Sequence, residues 1–387
     1  MMPVCTESSV PAPRLRAARL EDYQDIRRLG LEYSLDVPGY EDWSGLWLDN
    51  PLRADPAKDF PIGWVLEAHD DELVGCMGTA WARYTFRGNN LIAAVARAWF
   101  VTAEYRGYAL ELLDEYLNQP GVDLFINNAV SNAAHAAFSQ FCAPVPLGRW
   151  DSMSYWITGH RGFAERVLKS AGAPFPSILA YPLGAGLWAK DVAAARRPHT
   201  SPRAFTADST DRFDSRFDTF WRELVRQNPE KLLADRSAAA LSWHFAIPMR
   251  KRRLWILTAS RNGQLRAYCT FTRQDHAFRL PALTHDDAQG IRAMRLVDYQ
   301  SVEPEVDYLS GLLGEALRRC AKEDVYILEH LGRDVPKMRV VDDTAPHRAQ
   351  LENWKFYYHA SDPALSAELR KPMAWDPGAY DGDASFE

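Results

Sequence analysis

The segment Leu91–Leu117 constrains this chain more than any other, because its hydrophobic period changes partway along. From Leu91 to Val101 it is rich in β-branched and aromatic residues, the composition of a mostly buried strand. Beyond it, Leu110, Leu113, Tyr116 and Leu117 recur at helical spacing. The change at Arg106-Gly107 predicts a strand, a tight turn at Gly107 and a helix N-terminus. Free amides and the positive end of the helix dipole make such a terminus an anion site, most often for phosphate. The junction belongs to an α/β chain.

The flanking pattern extends this reading. Arg14–Arg19 reads as a short strand, and Leu20–Tyr33 as an amphipathic helix with Tyr23, Ile26, Leu29 and Tyr33 on one face. A second helix holds Trp43, Leu46 and Trp47 and ends at Asn50-Pro51. Strands follow at Ile62–Ala68, Leu73–Phe86 and Leu91–Val101, with turns at Asp70-Asp71 and Gly88-Asn89-Asn90. Gly121–Asn127 is the next strand and Asn132–Phe141 the next helix. Trp150–Ile157 is expected to close the sheet.

With the order of elements in place, Val101-Thr-Ala-Glu-Tyr-Arg-Gly-Tyr-Ala-Leu110 resembles the acyl-CoA-binding turn of GNAT acyltransferases (GCN5-related N-acetyltransferases). In that family an Arg/Gln-x-x-Gly-x-Gly/Ala turn holds the CoA pyrophosphate. Arg106 matches the first position. Ala109 stands where the family has its first Gly, and Glu111 at the last small position, so the match is partial. The helix from Asn132 is similar to the second cofactor segment, with Asn132 on the family's Asn, Ala143 on its Gly, and Ser139 where many members keep a Tyr that protonates the leaving thiolate.

The resemblance implies acetyl-CoA or another acyl-CoA as donor, with no metal. It places the donor on Phe100, Val101, Thr102, Arg106, Gly107, Tyr108, Ala109, Leu110, Asn127 and Asn132. The family often carries a Glu base on the strand before the turn, where this chain has Arg97 and Ala98. Glu67 and His135 are the substitute base candidates, and Ser139 the weak acid. Glu67 and His135 each have a plainer reading: a solvated strand residue and a structural histidine.

At 387 residues two domains are expected. The order recurs from Arg203: a short strand, helices near Phe213–Arg226 and Ala238–Phe245, strands at Arg253–Ala259, Leu265–Arg273 and Arg292–Tyr299, a helix Val306–Cys320 and strands at Val325–Glu329 and Leu351–Tyr358. The expected architecture is therefore α/β (α+β): two GNAT-like domains, each a mixed, mostly antiparallel sheet flanked by helices. We delimit a disordered lead 1–13, a first domain 14–158 with the acyl-CoA site, a helical connector 159–202, a degenerate second domain 203–360 and a tail 361–387. Leu296-Val-Asp-Tyr-Gln-Ser-Val-Glu-Pro304 lacks a Gly-rich phosphate turn, so no CoA is placed in the second domain. Asp381 and Asp383 read as a terminal turn.

The connector reads as helices His160–Ala171 and Leu183–Arg197 separated by Ala173-Pro-Phe-Pro176 and Tyr181-Pro182, packed between domains or resting on a membrane surface. Tandem GNAT halves resemble acyltransferases of bacterial surface-polysaccharide and lipid functions. The implied reaction is acyl transfer to an amino group of a small-molecule, sugar or lipid precursor. The alternatives are a non-catalytic GNAT-like binding protein and a Fem-like aminoacyl transferase using charged tRNA. A net charge of −6 argues against general nucleic-acid affinity. Five scattered cysteines without metal-ligand spacing suit reduced thiols in a cytoplasmic protein, one that could lie at the periphery of the inner membrane. The first residues lack a signal-peptide pattern, and no apolar run reaches spanning length.

Overall fold

The computed structural model describes residues 11–33, 37–54, 60–194, 205–274, 291–351 and 354–385. Most of the expected lead, Arg196-Arg197 of the connector and the last two residues of the tail lie outside them. The strands are β1 Arg14–Ala17, β2 Gly63–Glu67, β3 Leu73–Phe86, β4 Asn89–Val101, β5 Leu124–Val130, β6 Ala143–Pro144, β7 Arg149–Ile157, β8 Thr206–Thr210, β9 Leu233–Ala234, β10 Leu254–Arg261, β11 Gln264–Arg273, β12 Ala293–Ser301, β13 Ile327–Arg333, β14 His347–Gln350 and β15 Lys355–Ala360. The helices are α1 Tyr23–Glu32, α2 Tyr40–Leu48, α3 Ala109–Leu117, α4 Asn132–Phe141, α5 His160–Ser170, α6 Pro176–Ala193, α7 Ser215–Gln227, α8 Ala238–His244, α9 Ala246–Arg250, α10 Tyr308–Lys322, α11 Arg339–Thr344 and α12 Pro363–Leu369.

The chain divides into two units, 1–84 with 90–127 and 358–366, and 85–89 with 128–357 and 367–387. Both are mixed α/β layers with mostly antiparallel sheets. In the first unit the sheet runs β1-β2-β3-β4-β5-β15. β1 and β2 are antiparallel, as are β2 and β3, while β4 and β5 are parallel. The parallel pair requires a crossover, and α3 supplies it. α3 buries Leu112, Leu113 and Tyr116, and α1 buries Tyr23, Ile26 and Leu29, as period 3.6 requires.

In the second unit the sheet runs β14-β7-β13-β12-β11-β10-β8. Again one pair, β12 with β13, is parallel, and α10 is its crossover. Its core includes Phe217, Phe220, Tyr268, Phe271 and Tyr308, each at most 1% exposed.

Three expectations are corrected. β7 does not close the first sheet: it pairs with β13 and β14 in the second unit. Its residues Met153, Trp156 and Ile157 are buried there. Conversely β15 pairs with β5 in the first sheet, and Ser361 just beyond it donates its N–H to the Asp123 carbonyl at 3.0 Å. Tyr181-Pro182 does not separate two helices either. Both residues lie inside α6, where Pro182 withholds only the N–H that would bond the Ile178 carbonyl.

The tail is not a solvated turn: Trp375, Ala379, Tyr380, Asp381 and Ser385 are buried in the second unit. Arg236, wholly buried, donates Nε to Asp298 Oδ2 (2.9 Å), Nη2 to Asp298 Oδ1 (3.1 Å) and Asp381 Oδ1 (3.2 Å), and Nη1 to the Ala234 carbonyl. The Tyr380 ring lies under the guanidinium at 4.7 Å. Asp383 Oδ1 accepts the Asn128 and Ala129 amides at 3.1 Å. Both aspartates that read as a loose turn are thus anchors.

Candidate functional site

β4 and β5 pair in register only from Ala93↔Leu124 to Val95↔Ile126. At the next position a side chain replaces the ladder: Asn127 Oδ1 accepts the Ala96 N–H at 2.9 Å and the Tyr116 hydroxyl at 3.2 Å. Two residues on, Ala98 adopts φ +48°, a left-handed conformation that L-residues other than Asn and Asp seldom take. Such a residue bends a strand out of its pairing. The end of β4 therefore parts from β5.

The parted end exposes backbone. Thr102 N–H donates to the Val74 carbonyl on β3 at 2.8 Å. Successive amides on a strand alternate in direction, so the Val101 amide faces away from β3, toward the side where β5 has left. The Val101 carbonyl on that side accepts the Tyr33 hydroxyl at 2.8 Å, and Tyr33 stacks on Phe100 at 5.8 Å. Asn127 Nδ2 and Thr102 Oγ1, both beside the parted strands, are among the buried polar atoms of this unit that have no partner among the described residues. A buried donor without a partner costs roughly 1–3 kcal/mol, which a ligand carbonyl would recover.

The turn after β4 differs from expectation. Residues Ala103–Tyr108 form a 3₁₀ helix that runs directly into α3. The helix therefore begins at Ala103, before Arg106-Gly107. In a 3₁₀ helix each N–H bonds the carbonyl three residues back. Tyr105 N–H bonds the Thr102 carbonyl at 3.0 Å and Ala109 N–H the Arg106 carbonyl. Gly107 has an ordinary φ, and a Cβ there would meet nothing within 4 Å, so no tight turn demands it. Arg106, Gly107 and Leu110 are exposed, and Tyr108 and Ala109 half-buried.

Glu67 is held in an ion pair: Arg16 Nε donates to its Oε2, while Nη1 and Nη2 of Arg16 grip Asp22 at 2.8 and 2.9 Å. Burial alone would raise the Asp22 carboxyl, but hydrogen bonds from Arg16 and the Arg19 amide hold it below its usual value. Glu67, Phe100–Leu110 and Asn127 belong to the first unit, and Asn132, His135 and Ser139, all on α4, to the second. Ser131 caps α4 by accepting the Ala134 N–H, so the cap is one residue before Asn132. Ser139 is exposed and donates to the Ala136 carbonyl. His135 Nδ1 lies 2.6 Å from the Tyr357 hydroxyl on β15. Burial raises the Tyr357 hydroxyl above its usual pKa and keeps it protonated, and which partner donates in this bond follows the His135 tautomer. Tyr357 was not legible as a site residue, since its partner lies 222 positions away.

The second unit repeats the parted pair. β12 and β13 stay in register only to Leu296↔His330, and β12 bulges at Val297, which the pairing with β11 skips. Here the chain's own tail occupies the gap's surroundings. Asp376 binds Lys337, just after β13, at 3.0 Å, Asp381 reaches Asp298 of β12 through Arg236, and a Cβ at Gly378 would sit 3.6 Å from the Val297 carbonyl.

No protein-family model matches the sequence, and no curated protein matches it. Solved structures do. N-myristoyltransferase of Saccharomyces cerevisiae with bound myristoyl-CoA aligns at TM-score 0.54 and 10% identity, over 92% of this chain and 81% of that one. The fold is a GNAT-like tandem. A protein of unknown function from Enterococcus faecalis, described as a probable N-acyltransferase, aligns at TM-score 0.50 and 10% identity, over 90% and 73%. A GCN5-related N-acetyltransferase from Anabaena variabilis aligns at 0.49 and 10%, also over 90% and 73%. Identities this low speak for the fold alone. Among the described residues no group of three or more His, Cys, Asp or Glu is placed to hold a metal, and no helix is long and apolar enough to cross a membrane.

Proposed function

We propose that the protein transfers an acyl group from acyl-CoA to an amino group of a small-molecule, sugar or lipid acceptor, of the kind made for bacterial surface polysaccharides and lipids. The observation that carries this is the parted end of β4 and β5, with its outward Val101 amide and the unpartnered Asn127 Nδ2. A thioester carbonyl needs donors where its oxygen gains charge, and a pantetheine amide needs a partner inside the slot. The GNAT-like tandem fold, and myristoyl-CoA on the yeast neighbour, support the same donor.

In the proposed reaction the amine nitrogen attacks the thioester carbon, the C–S bond breaks, and the amine proton passes to a base while the thiolate takes one from an acid. Of the two base candidates, Glu67 already neutralises Arg16, whereas His135 has one ring nitrogen beyond its Tyr357 contact. Tyr357 would fix the His135 ring: with Nδ1–H donating to the Tyr357 oxygen, Nε2 keeps the lone pair that takes the amine proton. Arg106 would meet the pyrophosphate. The rival, a GNAT-like protein that binds without turnover, is favoured by the amides already spent in the 3₁₀ turn.

Release of free thiol from acyl-CoA donors of increasing chain length, tested with amino sugars, amino acids and long-chain bases, decides between them. Turnover with any pair supports transfer, and Arg106→Glu should then weaken CoA binding at least tenfold through loss of a charge-assisted contact. CoA binding by calorimetry without turnover supports the rival. No CoA binding at all removes the donor assignment.

A further inference from the structure

α5 and α6 pack tightly along one face. Ala180 and Gly184 are the buried residues of α6, and a Cβ at Gly184 would stand 2.8 Å from the Arg161 Cα, so only a glycine lets the helices approach. Leu187 packs against the cluster that contains Phe163, Met153 and Ile327. Near the end of α6, Asp191 lies 2.8 Å from both His160 and His347. The helix is thus held in place along its length.

Its remaining surface is apolar and bare. Phe175 is 74% exposed, Ile178 68% and Trp188 53%, with Leu179, Tyr181 and Leu183 beside them. Of the 14 exposed large hydrophobic residues among those described, seven fall between Phe175 and Val192. In its 18 residues α6 carries only two charges, Lys190 and Asp191. A helix that is apolar all round is normally covered all round, and a patch of this kind marks an interaction surface.

The charges around it select the occupant. From His160 to Ala193 there are four cations, Arg161, Arg166, Lys169 and Lys190, against two carboxylates, Glu165 and Asp191, a local excess of two positive charges in a chain of net −6. Glu165 is engaged by Lys169 and Asp191 by the two histidines, whereas Lys190 is exposed. Arg161 lies over the Tyr181 ring at 3.9 Å, its stem beside the apolar face. Aromatic and aliphatic side chains bordered by Lys and Arg are the chemistry of a helix lying in a lipid interface. α6 does not meet the requirement for crossing one.

We propose that the α5–α6 pair docks the protein on an anionic lipid surface. Phe175, Ile178 and Trp188 enter the boundary between headgroups and acyl chains, and Arg161, Lys169 and Lys190 face the lipid phosphates. This assignment does not depend on the acyl-transfer reading.

The test is co-sedimentation of the full chain with vesicles of phosphatidylcholine alone and of phosphatidylcholine mixed with phosphatidylglycerol, alongside sedimentation velocity of the free protein. The wild type should bind the mixed vesicles more strongly, and added salt should weaken that preference. Lys190→Ala should lower affinity for the mixed vesicles about fivefold. The double variant Ile178→Glu, Trp188→Glu should stay in the supernatant with an unchanged circular dichroism spectrum, because both side chains are already exposed. A wild type that ignores both vesicles overturns the proposal. So does a dimer that the double variant dissociates, which would make a second copy the occupant, or a double variant that binds as well as wild type.

Discussion

Replacing Arg236 by Met should be among the most destabilising single changes in the second unit. The side chain is wholly buried and gives two hydrogen bonds to Asp298, a forked pair to the two oxygens of Asp381 and one to the Ala234 carbonyl. Met fills similar volume but leaves Asp298, itself wholly buried, with the Tyr268 hydroxyl at 2.6 Å as its remaining side-chain donor of this cluster. Burial already pushes the Asp381 carboxyl above its usual pKa despite Arg236 and Lys337, and losing Arg236 raises it further, whereas Asp298 loses both bonds of the fork. The cost therefore falls on Asp298, and breaking a buried pair by removing one partner costs about 3–5 kcal/mol. For a unit of this size that is a fall in melting temperature of roughly 6–20 °C. Arg236→Lys, which keeps the charge but loses the fork, should fall between. Asp298→Asn added to Arg236→Met should recover part of the loss by removing the orphaned charge. Scanning calorimetry reads each variant, and trypsin, cutting after the exposed Arg370, should release the tail faster from Arg236→Met. An Arg236→Met protein melting within about 2 °C of wild type would refute the reasoning, since a charge that costs so little to orphan is not shielded from water.

Glu67→Gln should cost about 1 kcal/mol or less, because Arg16 keeps both bonds to Asp22, and its effect should fall on stability rather than on maximal rate. His135→Gln should lower kcat at least tenfold with CoA affinity nearly unchanged, as measured by thiol release and calorimetry. Burial depresses His330 to about 4, so the unfolded chain takes up this proton below about pH 6.5 while the native unit does not. Its contribution is complete above pH 6.5 and is lost as pH falls toward 4, by about 1.4 kcal/mol per unit; a His330→Leu variant whose denaturant midpoint shows the same acid slope would contradict this. Gly162→Val should destabilise by about 1–3 kcal/mol, since its Cβ would lie 2.2 Å from the Tyr326 ring, and unfolding in urea measures it.

What the sequence made legible follows the range of the forces involved. β3, β4 and α4 were readable within a residue or two, because alternation and helical spacing are local patterns. Arg106-Gly107 was misplaced within its element: glycine there reads as a turn, yet backbone hydrogen bonds beginning at Thr102 carry the 3₁₀ helix through it. Partner choice is not local. β7 reads as the closing strand of the first half and β15 as a late strand of the second, and nothing in Trp150–Ile157 or Lys355–Ala360 tells which sheet edge will accept it. The same limit hid the tail. Asp381 and Asp383 are anchors only because Arg236 and the Asn128 amide stand 145 and 255 positions away. It hid Tyr357 as the partner of His135 in the same way. For α6 the pattern left two destinations open, packing between domains or resting on a membrane surface, and the fold closes only the Ala180–Gly184 face, where small residues permit contact. Hydrophobicity states that a surface should leave water, and the small residues state where protein can cover it. The residues that are apolar yet too large for close helix contact, Phe175, Ile178 and Trp188, are therefore the ones left for a partner outside the fold.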